Sequence, residues 1–187
     1  EASEALRILD AKWDEVRLWS FDYFRRIFSE REWTPELLVF VCDSTRNDVQ
    51  QFGKEMITKF FKAENGVDYL LKLSQHPSQN LQNFATHYLE QFASGKTEYI
   101  EKLEHYFITI LSQVNRSSVA KMRIFNFLEQ EALQNEVVAQ LAANIMTRQS
   151  ATMAVADKAA SLRVMAAIKR KFPNVKMAMQ VKAVAVR

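Results

Sequence analysis

The chain has 187 residues, 48% of them hydrophobic and 25% charged, with three glycines, three prolines and one cysteine. That length is one domain's worth, and thirteen phenylalanines supply bulky core material, which excludes disorder as the general state. Scarce Gly and Pro beside abundant Ala, Leu, Glu, Gln and Lys favour helices.

The net charge of +3 is unevenly placed. Eight of the 25 basic residues lie from Lys158 to Arg187, together with none of the 22 carboxylates, so the body is acidic and the end basic. Cys42 is alone, which rules out an intrachain disulfide; within Leu37-Leu38-Val39-Phe40-Val41-Cys42 it reads as a buried, inert thiol. No stretch reaches the roughly 18 apolar residues of a membrane span, and no signal peptide opens the chain. The expected setting is cytoplasmic, or nuclear in a eukaryote. Glu1 to Leu6 reads as a cut made inside or just before a helix, so a fragment of a larger protein is expected.

In chain order, the first clear helix is Trp13 to Phe28. Val16, Trp19, Tyr23 and Ile27 recur at steps of three and four as its apolar face, widened by Phe24 and Phe28. Thr34-Pro35-Glu36 is a start signal combining a hydroxyl cap, proline at the first position and a carboxylate at the positive end. It opens a short helix through Leu37, Leu38 and Val41 to about Asp43. A second long helix, Asp48 to Lys62, carries Val49, Phe52, Met56, Ile57 and Phe60, and Asn65-Gly66 reads as its cap or turn. Val67, Leu70, Leu71 and Leu73 make a short helix stopped near His76-Pro77.

The third long helix, Ser78 to Ala93, places Leu81, Phe84, Tyr88, Leu89 and Phe92 on one face and is broken by Ser94-Gly95. A helix from Tyr99 to Gln113 follows, with Leu103, Phe107, Ile110, Leu111 and Val114; Asn115-Arg116-Ser117 turns the chain. A fourth partner helix, capped by Ser117 or Ser118, contains Val119, Met122, Phe125, Phe127 and Leu128. A fifth pair runs from Val137 to Met146 and from Asp157 to Lys171, divided at Gln149-Ser150-Ala151-Thr152, with Ala159, Leu162, Ala166 and Ile168 as the last apolar face. Beyond Phe172-Pro173-Asn174, Val175, Met177, Met179 and Val181 alternate with other residues as in a strand. Two segments are expected: a helical domain over 1–172, and over 173–187 an extended basic tail or the start of a following domain.

Three of these helices open alike, with Asp14 to Ser20, Asn47 to Gly53 and Gln79 to Ala85, and their anchors Val16, Val49 and Leu81 stand 33 and 32 residues apart. Ser20, Gly53 and Ala85 keep one position small, which admits a close neighbour. The register departs in the fourth unit, where Val119 follows Leu81 by 38 and Arg123 replaces the small residue. Such a period belongs to stacked helix pairs. With an aspartate in the turn and Asp14, Val16 and Arg17 opening a second helix, the chain resembles the HEAT and armadillo class over most of 10–170, although Gln50 and Gln82 replace the arginine. The Thr-Pro-Leu-His of ankyrin units and the Trp/Leu-Gly/Tyr spacing of tetratricopeptide units are missing. The resemblance implies an all-α, right-handed α-solenoid of four to five helical hairpins.

Chemistry is sparse. His76, His87 and His105 are far apart, without HExxH, and neither a glycine-rich phosphate loop nor G-x-S-x-G occurs. Neither a metal nor a cofactor is expected. Asp14/Glu15 and Glu129/Glu131 read as solvated charge. HEAT-like DNA glycosylases use aromatics, an Asp and basic side chains on a concave surface; Trp13, Trp19, Trp33, Asp14 and Arg17 offer those ingredients without matching residue by residue. A non-catalytic scaffold is the leading expectation, recognising another protein or a flanking domain through Arg17, Gln50, Gln51, Lys54, Gln82, Asn83 and Lys121. The alternative is nucleic-acid binding through phosphate contacts from Lys158, Arg163, Lys169, Arg170, Lys171, Lys176 and Lys182.

Overall fold

A computed structural model of the chain describes residues 2–60, 62, 65–74, 76, 78–114 and 118–179. Among these residues the fold is all-α, with no strand. The helices are α1 (Ala2–Leu6), α2 (Asp14–Ile27), α3 (Pro35–Cys42), α4 (Asn47–Phe60), α5 (Gly66–Ser74), α6 (Gln79–Ala93), α7 (Thr97–Lys102), α8 (Glu104–Leu111), α9 (Ser118–Ala132), α10 (Glu136–Gln149) and α11 (Val155–Lys171), with a 3-10 turn over Arg7–Asp10. They fall into two compact units, Glu1–His76 and Pro77–Arg187.

Local signals set several boundaries. Thr34 caps α3 by accepting from the Leu37 N–H, with Pro35 at the first turn. The Asn135 side chain accepts from the N–H groups of Val137 and Val138 to start α10. Gly95 adopts φ +70° after α6, and Glu131 accepts from its N–H and from the Ser94 hydroxyl. The expected helix from Tyr99 to Gln113 is divided into α7 and α8 at Leu103, whose N–H is shared between the carbonyls of Tyr99 and Ile100. Gly66 opens α5 instead of closing α4. The expected turn at residues 115–117 lies outside the described residues.

In the first unit α3 packs on α4, α5 and α1, and the 3-10 turn packs on α2. Gly53 permits the close approach of α3: a Cβ there would stand 2.6 Å from the Cys42 Sγ. Phe21 stacks on Phe52 with ring centres 4.8 Å apart, and Phe24, Phe28 and Trp33 extend the aromatic cluster. In the second unit α9 packs against α6, α8, α10 and α11, while α10 also meets α7 and α8.

Polar links tie these helices together within each unit. Ser44 donates to Asp10, Arg17 to Asp48, Arg25 to Glu55 and Lys72 to Glu36, and His76 meets Asp43. In the second unit Arg123 donates to Thr86, Asn135 to Thr97, Gln149 to the Leu111 carbonyl, Lys121 to Asp157 and Arg163 to Asn126. These links join residues 30 to 38 apart in sequence.

Three expected faces are corrected. On α2 the buried residues are Arg17, Ser20, Phe21 and Phe24, whereas Trp19, Tyr23 and Ile27 are exposed and Val16 half-buried. Apolar residues surround this helix, so spacing alone did not single out the inward side. On α9 Val119 and Met122 are exposed, and Ile124 and Lys121 are buried. On α11 Ala159 and Leu162 are exposed, while Ser161, Val164, Met165 and Ile168 face inward.

The expected strand does not form over 173–179. Its alternation instead serves an extended segment laid on α10, with Val175 buried. The Gln140 amide accepts from the Lys176 N–H at 3.0 Å and donates to the Lys176 carbonyl at 2.9 Å, supplying the pair of bonds that a strand edge would. Residues 180–187, Val181 and Lys182 among them, lie outside the described residues.

Candidate functional site

The expected binding residues do not share one surface. Arg17, Gln82 and Lys121 are buried. Arg17 donates to Asp48 and Asp14, each at 2.7 Å, and to the Ala11 carbonyl at 2.8 Å. Desolvation opposes ionisation of Asp48, but the hydrogen bond and charge of Arg17 together with backbone N–H donors outweigh it and hold this carboxyl below the usual range. Lys121 donates to Asp157 at 2.6 Å inside the second unit. Arg17 lies in the first turn of α2 and Lys121 in the first turn of α9, and each reaches an aspartate in the first turn of another helix, Asp48 of α4 and Asp157 of α11, fastening the helices together. Gln50 is half-buried and donates to the Ser44 carbonyl, Lys54 is half-buried, and Gln51 is exposed. Asn83 is half-buried; its carbonyl accepts from Arg123 at 2.7 Å, and its side-chain oxygen is buried without a protein partner.

The basic residues scatter as well. Lys169 donates to the carbonyls of Pro173 and Val175, fastening the chain reversal after α11. Arg163 reaches Asn126 and Glu129, each at 3.1 Å, and Lys171 lies over the Phe172 ring. Lys158, Arg170 and the Lys176 residue are exposed. At about 100° per residue, Lys158 and Lys169 lie on one side of α11 and Arg163 and Arg170 on another. No single phosphate-facing stripe results.

Of the glycosylase ingredients, Asp14 and Arg17 are paired with each other, Trp33 is buried among Phe28 and Phe52, and Trp13 and Trp19 are exposed. Glu129 pairs with Arg163, and Glu131 holds the turn after α6. No group of three or more His, Cys, Asp or Glu is placed to hold a metal among the described residues. Among them, too, no helix is long and apolar enough to cross a membrane. Burial pushes the Cys42 thiol up to about 12.

What the fold does build is a cleft of about 390 Å³ between α9 and α11. Met122, Phe125, Ala156 and Ala160 give it apolar walls; Ser118, Asn126 and Arg163 form a polar rim, and the Lys121–Asp157 pair lies in its lining. Met122 is 59% exposed. Alongside, Thr86, His87, Glu90 and Arg123 line a smaller hollow of about 80 Å³ between α6 and α9. Arg123 reaches back to α6 and Arg163 to α9. Met122 reads as core in the sequence because an apolar residue at helical spacing ordinarily is, and nothing in the sequence distinguishes Asn126.

No protein family, curated protein or solved structure matches the chain.

Proposed function

We propose that the chain is a HEAT/armadillo-like helical-repeat scaffold, right-handed as that class is, which acts without catalysis and binds a segment of another protein or of a flanking domain in the α9–α11 cleft. The carrying observation is the make-up of that cleft: an exposed methionine and alanines provide an adaptable apolar floor, while Asn126 and Arg163 offer an amide and a guanidinium at its rim. The one-repeat spacing of the polar links supports the repeat reading. An apolar side chain would lie over Met122, with backbone carbonyls or a carboxylate meeting Asn126 and Arg163. Separated basic residues and their carboxylate and carbonyl partners favour this over phosphate binding.

The test is site-specific photocrosslinking in the longest available form of the protein. A photoreactive residue in place of Asn126 is expected to give a defined adduct that Met122→Glu abolishes. One in place of the exposed Arg148 on α10 is expected to give none. Equal adducts from both positions, or none from Asn126, would count against the cleft.

A further inference from the structure

The described residues leave one large apolar feature unused: the stripe along α2. Trp13 is 68% exposed, Trp19 56%, Tyr23 37% and Ile27 56%, with Trp19 and Tyr23 stacked at 5.1 Å. The register of the repeat shows what such positions accept. Trp19 corresponds to Phe52 on α4, which is buried beneath Phe21 and Arg25 of a neighbouring helix. The stripe is thus shaped to receive a helix.

We infer that the helix it receives is α2 of a second copy of the chain, packed antiparallel. Its charge arrangement is self-complementary. The first turn carries the acidic Glu15 and the last the basic Arg26, whereas Asp14 and Arg25 already pair with Arg17 and Glu55. Crossing two copies near Phe21 sets Trp19 against the partner's Tyr23 and brings Glu15 within a residue of the partner's Arg26. Glu15, Asp22 and Arg26 edge the same side of the stripe, where an antiparallel two-fold brings like edges together. Arg26 already pairs with Asp22, but both are largely exposed, and such an i,i+4 pair is worth only about 0.3–0.5 kcal/mol. It yields readily to a new partner.

The area is sufficient for a weak dimer. Taking about 150–250 Å² per aromatic side chain, the exposed parts of the stripe amount to roughly 450 Å² per copy. Two stripes and their charged edges then pass the roughly 1,000 Å² that a specific interface needs.

Sedimentation velocity across the micromolar range tests this on the 187-residue chain. The weight-average mass is expected to climb toward twice 21.7 kDa as concentration rises. Trp19→Glu should hold the chain monomeric with its helical circular dichroism intact. Glu15→Arg and Arg26→Glu should each weaken association about tenfold, and the doubly reversed chain should regain it. A monomer throughout, a dimer indifferent to Trp19→Glu, or a double reversal no tighter than either single change would each overturn the inference. Failure would leave the α9–α11 reading standing, because that cleft shares no residue with α2.

Discussion

Gly53 puts the packing of the first unit to a quantitative test. In isolation, replacing a helical glycine by alanine stabilises by about 0.8–1 kcal/mol. Here the new Cβ would lie 2.6 Å from the Cys42 Sγ, 3.1 Å from the Cys42 backbone nitrogen and 3.2 Å from the Val41 Cγ1. Cys42 is fully buried, so its sulfur has no solvent side to retreat to, and the backbone contact ties relief to movement of α3 itself. Overpacking costs about 1–3 kcal/mol, and because relief here requires moving α3 the upper part of that range, about 2–3 kcal/mol, applies; set against the propensity gain it leaves Gly53→Ala less stable by about 1–2 kcal/mol. Cys42→Ala removes the closest clash, so the double variant should be at least about 1 kcal/mol more stable than the sum of the single changes predicts. All three tryptophans lie in the first unit, so urea unfolding followed by tryptophan emission reports on this packing selectively. A neutral or stabilising Gly53→Ala, or strictly additive changes, would refute the close approach of α3 and α4.

The buried Lys121–Asp157 pair makes a second stability prediction. Asp157→Asn leaves the Lys121 ammonium without its carboxylate and should cost about 3 kcal/mol, while Lys121→Met with Asp157→Leu should recover most of that loss in calorimetry. Acid should weaken the first unit. Asp48 and Glu36 both titrate below the ordinary carboxylate range, with the hydrogen bond from Lys72 the main cause for Glu36. The unfolded chain therefore takes up these protons first, so their contribution is complete above about pH 4 and is lost as pH falls through the lower folded values. Urea midpoints from tryptophan emission should decline over that window, and less steeply in Arg17→Met. A thiol reagent should leave Cys42 unmodified in the folded chain and react fully in urea, because burial raises its pKa to about 12.

Much of the fold was legible because helix signals are local. Thr34-Pro35, Asn47-Asp48 and Ser94-Gly95 mark ends by capping, dipole and conformational preferences that operate within one turn. The direction in which a helix faces is a tertiary property. On α2 the stripe containing Trp19 satisfies helical spacing as well as the side containing Phe21 does, and only the neighbouring Phe52 decides between them. The sequence places Arg17 and Lys121 at the surface because charge ordinarily stays in water; their aspartate partners, 31 and 36 residues away, make burial tolerable. The strand expected after Pro173 does not form, and Gln140 of α10 instead bonds both backbone groups of Lys176. The α9–α11 cleft was not legible at all, since it depends on how two helices separated by α10 are rotated.

That cleft carries the functional claim, and methyl-resolved NMR during titration with peptides selected from a random display library against the chain examines it most directly. The expected result is a saturable shift of the Met122 methyl with Met56, buried in the first unit, unmoved, and an affinity at least about tenfold weaker after Met122→Glu or Arg163→Glu. Peptides that leave Met122 unshifted, or that bind both variants as tightly as the parent chain, would contradict the account.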